Sequence, residues 1–125
     1  MEHRLIAMKI GVNDLQAATD FYVSVLDMQP GGHYDDYCEW ALLSPSSPIT
    51  SLIIYDTVRG KLAHRPMGTS WLVFAVDDVR VVSDRFRAAG VKHVGEPIPA
   101  PDFGVTYVIT EDPFGNIIEL TEPLG

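Results

Sequence analysis

Cysteine is nearly missing from this sequence: Cys38 stands alone among 125 residues. A single thiol excludes an internal disulfide and a cysteine-rich zinc site. Cations are also scarce, with nine Lys and Arg against seventeen Asp and Glu, a formal charge of −8. That balance disfavours nucleic acid and anionic membrane as partners, because both select basic patches. It would suit a cationic ligand, and it would equally serve solubility alone. No apolar run approaches the roughly 18–20 residues of a membrane helix. The opening "MEHRLIAMKIG" lacks a signal-peptide pattern, so a cytoplasmic protein is expected. What is present is ordinary for a globular chain: 46% hydrophobic and 21% charged residues, enough for one domain or two small modules sharing a core.

The chain is written twice. Setting "MKIGVNDLQAATDFY" (8–22) against "LVFAVDDVRVVSDRF" (72–86), an offset of 64, aligns Val12 with Val76, Asp14 with Asp78 and Asp20 with Asp84. Thr19 then meets Ser83, and Tyr22 meets Phe86. Each half opens on a stretch of strand formers, "LIAMKIGV" and "WLVFAV", and runs into an Asn/Asp or Asp/Asp pair. Such short acceptors cap the free N–H groups of a helix start. Val79, Val82, Phe86 and Ala89 follow at helical spacing up to Gly90, a natural stop. Ala18, Phe21, Tyr22 and Val25 do the same up to about Leu26. Strand signals come next: "CEWALLS", "TSLIIYD", "KHVGE", "VTYVIT" and "NIIELT", with "PIPAPDFG" expected as an irregular loop. The order is β-α-β-β-β, twice.

This pair of modules, with "VNDL…FYVSVL" opening one and "VDDV" the other, resembles the vicinal oxygen chelate superfamily. Glyoxalase I, the bleomycin-resistance proteins and the extradiol dioxygenases are its members. The closing "EDPFGNIIEL" is similar to that superfamily's DPxGNxIEL ending, and the resemblance covers roughly residues 4–123. It implies an α+β domain of two tandem β-α-β-β-β modules forming a curved mixed sheet around a concave pocket. Module one then spans about 4–57, a connection about 58–68 and module two about 69–123. Relatives of this kind usually form homodimers, and a homodimer is expected here.

Strand alternation sorts the residues between the helix side and the pocket side. Ile6, Met8, Ile10 and Val12 form an apolar row for the helix side, leaving Ala7, Lys9 and Gly11 opposite. In the last strand Ile118 and Leu120 take the helix side, and Ile117, Glu119 and Thr121 the other. The resemblance implies four metal ligands in active relatives, one from the first and last strand of each module. Seven residues before Asp14, where that pattern puts the first ligand, stands Ala7, and seven before Asp78 stands Trp71. Opposite Glu119 in module one lies Tyr55 or Ile54, depending on the alignment. Only Glu119 remains as a ligand, and one carboxylate does not hold a catalytic metal.

The other candidates for chemistry are separate. His3, His33, His64 and His93 show no metal-pair spacing, although His33 with Asp35, Asp36 or Glu39 could make a site outside the family pattern. Cys38 reads as a packed strand residue. Lys9 would bring an ammonium near Glu119, either to bracket a polar ligand or to neutralise the acid. Trp40, Tyr55, Trp71, Phe103, Tyr107 and Phe114 fall where an organic ligand could stack on them, or where they fill core. The expected protein is a metal-free binder of a small organic ligand with no cofactor, using Lys9, Trp40, Tyr55, Trp71, Phe103, Tyr107 and Glu119. The alternative is a metal-dependent lyase, isomerase or dioxygenase of the same superfamily, with Glu119 as base or with a displaced or incomplete metal site.

Overall fold

Both helices start on the expected aspartates. Asp14 Oδ1 accepts the Ala17 N–H at 3.0 Å, and Asp78 Oδ1 accepts those of Arg80 and Val81 at 3.1 and 3.2 Å. A cap of this kind is worth about 1 kcal/mol. Behind them run α1 (Leu15–Ser24) and α2 (Val79–Ala88), 64 residues apart from end to end. α2 stops on Gly90 at φ 80°, where the N–H groups of Gly90 and Val91 reach back to the carbonyls of Arg87 and Phe86 at 3.0 and 2.9 Å. That pairing needs a left-handed residue, which glycine supplies without a Cβ clash. α1 ends at Ser24, two residues short of the expected Leu26.

The computed structural model describes residues 7–44, 51–61, 63, 68 and 70–124; Ile6, His3 and His64 lie outside them. The chain divides into two compact units, Met1–Gly68 and Thr69–Gly125. The first holds β1 (Ala7–Val12), α1, β2 (Gln29–Tyr34), β3 (Glu39–Leu43) and β4 (Ser51–Asp56). The second repeats the order with β5 (Trp71–Ala75), α2, β6 (Lys92–Ala100), β7 (Val105–Glu111) and β8 (Ile117–Pro123). The sheets have matching orders, β1-β4-β3-β2 and β5-β8-β7-β6. In each, the first strand runs parallel to the last and the other pairs are antiparallel. This is the tandem β-α-β-β-β arrangement expected from the sequence.

The apolar rows fill the helix side as alternation requires. Ile10, Val12, Leu42, Leu52 and Ile54 are buried in the first unit, with Leu15, Ala18 and Tyr22 of α1. Leu72, Val108, Ile118 and Leu120 do the same in the second, with Val79 and Phe86 of α2. Each such side chain contributes about 1.5–3 kcal/mol when fully buried. Ser83, rather than the expected Val82, completes the buried face of α2, and Ala89 is exposed.

Two strands depart from the expected boundaries. "PIPA" (97–100) belongs to β6 rather than to a loop, pairing Ile98 with Tyr107 and Ala100 with Val105. β6 is an edge strand, where proline is tolerated because one side of the backbone needs no N–H donor. The register shifts between Val94 and Ile98, and Gly95 stands at φ 85° inside that irregularity. In the first unit β2 (Gln29–Tyr34), which holds His33, matches none of the strand signals read from the sequence. There Gly31 meets the Ala41 carbonyl so closely that a Cβ would lie 2.8 Å from its oxygen.

The closing "DPFGN" is scaffold. Asp112 Oδ1 accepts the N–H groups of Phe114 and Asn116, each at 2.8 Å, and Asp112 Oδ2 accepts Asn116 Nδ2 at 2.7 Å. Asn116 Oδ1 in turn takes the Ser70 N–H at 3.3 Å, tying the turn to the start of β5. Asp112 and Asn116 are buried, so this bonded turn fixes where β8 and Glu119 begin.

Candidate functional site

Register decides which side chains share a face. In the first sheet Lys9 lies opposite Ile53, while Gly11 and Glu39 both lie opposite Tyr55. In the second, Val73 lies opposite Glu119, which lies opposite Ile109, which lies opposite Val94. Parallel to that row run Ala75, Thr121, Tyr107 and Ile98. These residues stand on the side of each sheet away from the buried, helix-facing rows.

The two pairings also settle the counterpart of Glu119. Lys9 and Val73 are equivalent by the offset of 64, and their neighbours in the last strands are Ile53 and Glu119. The counterpart is therefore Ile53, one residue before Ile54 and two before Tyr55, the alternatives raised by the sequence. The repeat offset grows from 64 across the helices to 66 across the last strands, because the second unit is longer between them.

In the first unit Lys9 Nζ is 3.2 Å from Glu39 Oε2, and the carboxylate-bearing side chain is only 10% exposed. Lys9 is thus paired within its own sheet, by a carboxylate that the sequence reading considered only for a histidine site. Ala41 continues the row of Lys9 across β4 through Ile53, and Glu39 stands diagonally in the next row of the same face, opposite Tyr55. Tyr55 is half-buried on that face. Trp40 is not on it; it pairs with buried Ile54 and stacks on the His33 ring, centroids 4.5 Å apart.

In the second unit Trp71 and Glu119 do meet. The indole Nε1–H donates to Glu119 Oε1 at 3.2 Å, and the Thr121 hydroxyl donates to Oε2 at 2.9 Å. Trp71 is 55% exposed and Val73 61%, with Val94 and Ile98 also more than half exposed. Tyr107, Ile109 and Ile117 are half-buried around the acid. Val94 and Ile98 went unnoticed in the sequence, Ile98 because its segment was read as a loop. Phe103 projects from the 3₁₀ turn Pro101–Phe103 and is 83% exposed, away from the paired rows; Phe114 sits half-buried in the Asp112 turn.

The remaining polar candidates have structural partners. His33 Nδ1 lies 3.0 Å from Asp35 Oδ1. His93 Nδ1 faces the Val91 carbonyl and its Nε2 faces the Ser83 hydroxyl, both at 3.0 Å. A carbonyl only accepts, so Nδ1 carries a proton, and the Nε2 contact with Ser83 joins β6 to α2. Cys38 is not a strand residue: it occupies a left-handed position at φ 48° just before β3, with its thiol 3.4 Å from the Asp35 carbonyl. Among the described residues no three His, Cys, Asp or Glu side chains gather as a metal cluster would require.

A duplicated β-α-β-β-β chain with its polar groups on the open sheet faces defines a class of protein. The glyoxalase/bleomycin resistance protein/dioxygenase superfamily model matches residues 4–120, and the chain belongs to that family, the vicinal oxygen chelate superfamily. No curated protein matches the sequence. Solved structures do. A superfamily member from Sphaerobacter thermophilus DSM 20745 is 20% identical with a TM-score of 0.81, covering 97% of this chain and 98% of its own. An antibiotic-binding protein from Streptomyces sp. CB03234 is 23% identical with a TM-score of 0.79, covering 98% and 97%. A lactoylglutathione lyase from Agrobacterium tumefaciens is 21% identical with a TM-score of 0.76, covering 97% and 94%. At these identities the likeness is one of fold, and the fold carries both binding proteins and enzymes.

Proposed function

We propose that this protein binds a small organic molecule without a metal ion, on the open face of its second sheet. The observation that carries the reading is the Trp71 indole standing where the family pattern calls for a ligand and donating to Glu119. The four family positions hold Ala7, Ile53, Trp71 and Glu119. A methyl, a branched alkyl chain, an indole and one carboxylate do not fit a divalent ion that needs three or more oxygen or nitrogen donors. The same residues suit a flat organic body. Exposed Trp71, Val73, Val94 and Ile98 supply apolar area, and Glu119, Thr121 and Tyr107 supply a few polar groups to orient it. The fold's use by an antibiotic-binding protein agrees with this.

A calorimetric screen of planar aromatic compounds tests the reading, alongside elemental analysis of protein purified without chelator. Trp71→Ala is expected to weaken any compound found by about tenfold or more, since a stacking surface lost from a binding face costs at least that much. Near-stoichiometric retained metal, or binding indifferent to Trp71, would overturn it in favour of the metal-dependent enzyme.

A further inference from the structure

Glu119 is the uncompensated charge on its face. Lys92 and Glu111, at one end of the same side, neutralise each other at 3.0 Å. Among the described residues Glu119 makes no ion pair; its two bonds come from neutral donors, the Trp71 indole and the Thr121 hydroxyl. A carboxylate offers about four acceptor positions, so roughly two remain open. In the first unit the equivalent strand position to Val73 is Lys9, but that ammonium is turned to Glu39 in its own sheet. The second unit has instead set a valine beside its acid.

Resting on the proposed function, we infer that the ligand is an organic cation: a planar apolar body carrying a protonated amine or an equivalent charged nitrogen. The nitrogen meets the open acceptor positions of Glu119, and the Trp71 ring bordering that carboxylate offers its negative face to the same charge. The body lies across the strands along the row Val73, Glu119, Ile109 and Val94, which follow one another in register. Strands are about 4.8 Å apart, so this row is about 14 Å long and takes a skeleton of two to three fused rings. A neutral molecule of the same shape would leave the carboxylate desolvated and unpaired, which is the source of discrimination. The formal charge of −8 adds a long-range, salt-sensitive bias in the same direction.

Two planar probes separate shape from charge: proflavine, cationic near neutral pH, and acridine, its uncharged parent. Calorimetry on the full chain is expected to show proflavine binding roughly tenfold tighter, as hydrogen bonds to charged groups imply. Glu119→Gln should abolish the preference while retaining acridine binding, and Trp71→Ala should weaken both. Rising salt should narrow the gap in the unmodified protein, a readout that needs no variant. Equal binding of the two probes with dependence on Trp71 would overturn the cation inference and leave the proposed function standing. A preference that survives Glu119→Gln would also overturn it. Binding of neither probe would overturn the cation inference as drawn, and the proposed function would then be decided by the wider screen and the elemental analysis.

Discussion

The two sheets give opposite answers at the same two register positions. In the first, the first-strand residue is Lys9 and the last-strand residue is Ile53; in the second they are Val73 and Glu119. One face therefore satisfies its charges internally, with Lys9 on buried Glu39, and the other presents a half-buried acid among exposed apolar groups. The helix sides, by contrast, remain alike: Asp14 and Asp78 cap, and Tyr22 and Phe86 are both buried, at 0% and 2% exposure. Duplication has kept what folds each unit and let the open faces diverge.

The largest effect that would test this likeness comes from the cores. Tyr22→Ala and Phe86→Ala should each cost about 3–5 kcal/mol in denaturant unfolding, as aromatic truncations in packed interiors do. Strongly unequal losses would show that the two cores are not equivalent. The open faces should respond differently from each other. Lys9→Met strands the Glu39 carboxylate and is expected to cost about 1–3 kcal/mol, discounted because Lys9 is half exposed. Glu119→Gln should change stability by about 0.5 kcal/mol or less, because the group is half exposed, the amide oxygen can accept from the Trp71 indole, and the Thr121 hydroxyl can accept from the amide N–H.

The smallest effect lies at the ends of the last strands. Asp56 of the first unit and Glu122 of the second are 66 residues apart and bond different backbone groups: Asp56 takes Val58 and Arg59 N–H at 2.7 and 3.1 Å, while Glu122 takes Val79 N–H at 2.8 Å. Burial pushes the Asp56 carboxyl upward, but those bonds and the Arg59 guanidinium outweigh it and hold its pKa below the ordinary 3.8. On acidification the unfolded chain takes the proton first, so this stabilisation is complete above the ordinary value and fades as pH falls through the folded one. Asp56→Asn should flatten that part of an acid unfolding curve; an unchanged curve would place the effect elsewhere.

Local chemistry made the caps, the helix spans, the Gly90 stop and the apolar rows legible, because each depends on residues a few positions apart. The register of the last strands was not legible. A two-residue difference in length moved the counterpart of Glu119 from Tyr55 to Ile53, and the other alternative, Ile54, lies on the opposite face, as a one-residue error must. Lys9 with Glu39 was missed for a related reason: their contact spans β4, a diagonal that only pairing reveals. Trp71 beside Glu119 was half visible, since both were placed on one side but the indole N–H was not assigned a partner. The second part of β6 was hidden by Pro97 and Pro99, residues that read as loop until the strand is known to be an edge.

Each sheet here has a side that folds and a side that does not. Ala7, Ile53, Trp71, Val73 and Glu119 all stand on the second kind, none of them among the fully buried side chains. Changes at these places are therefore filtered by what the surface touches far more than by whether the chain survives. A lineage can exchange an alkyl group for an indole, or for a carboxylate, at such places in single steps without first passing through an unfolded ancestor.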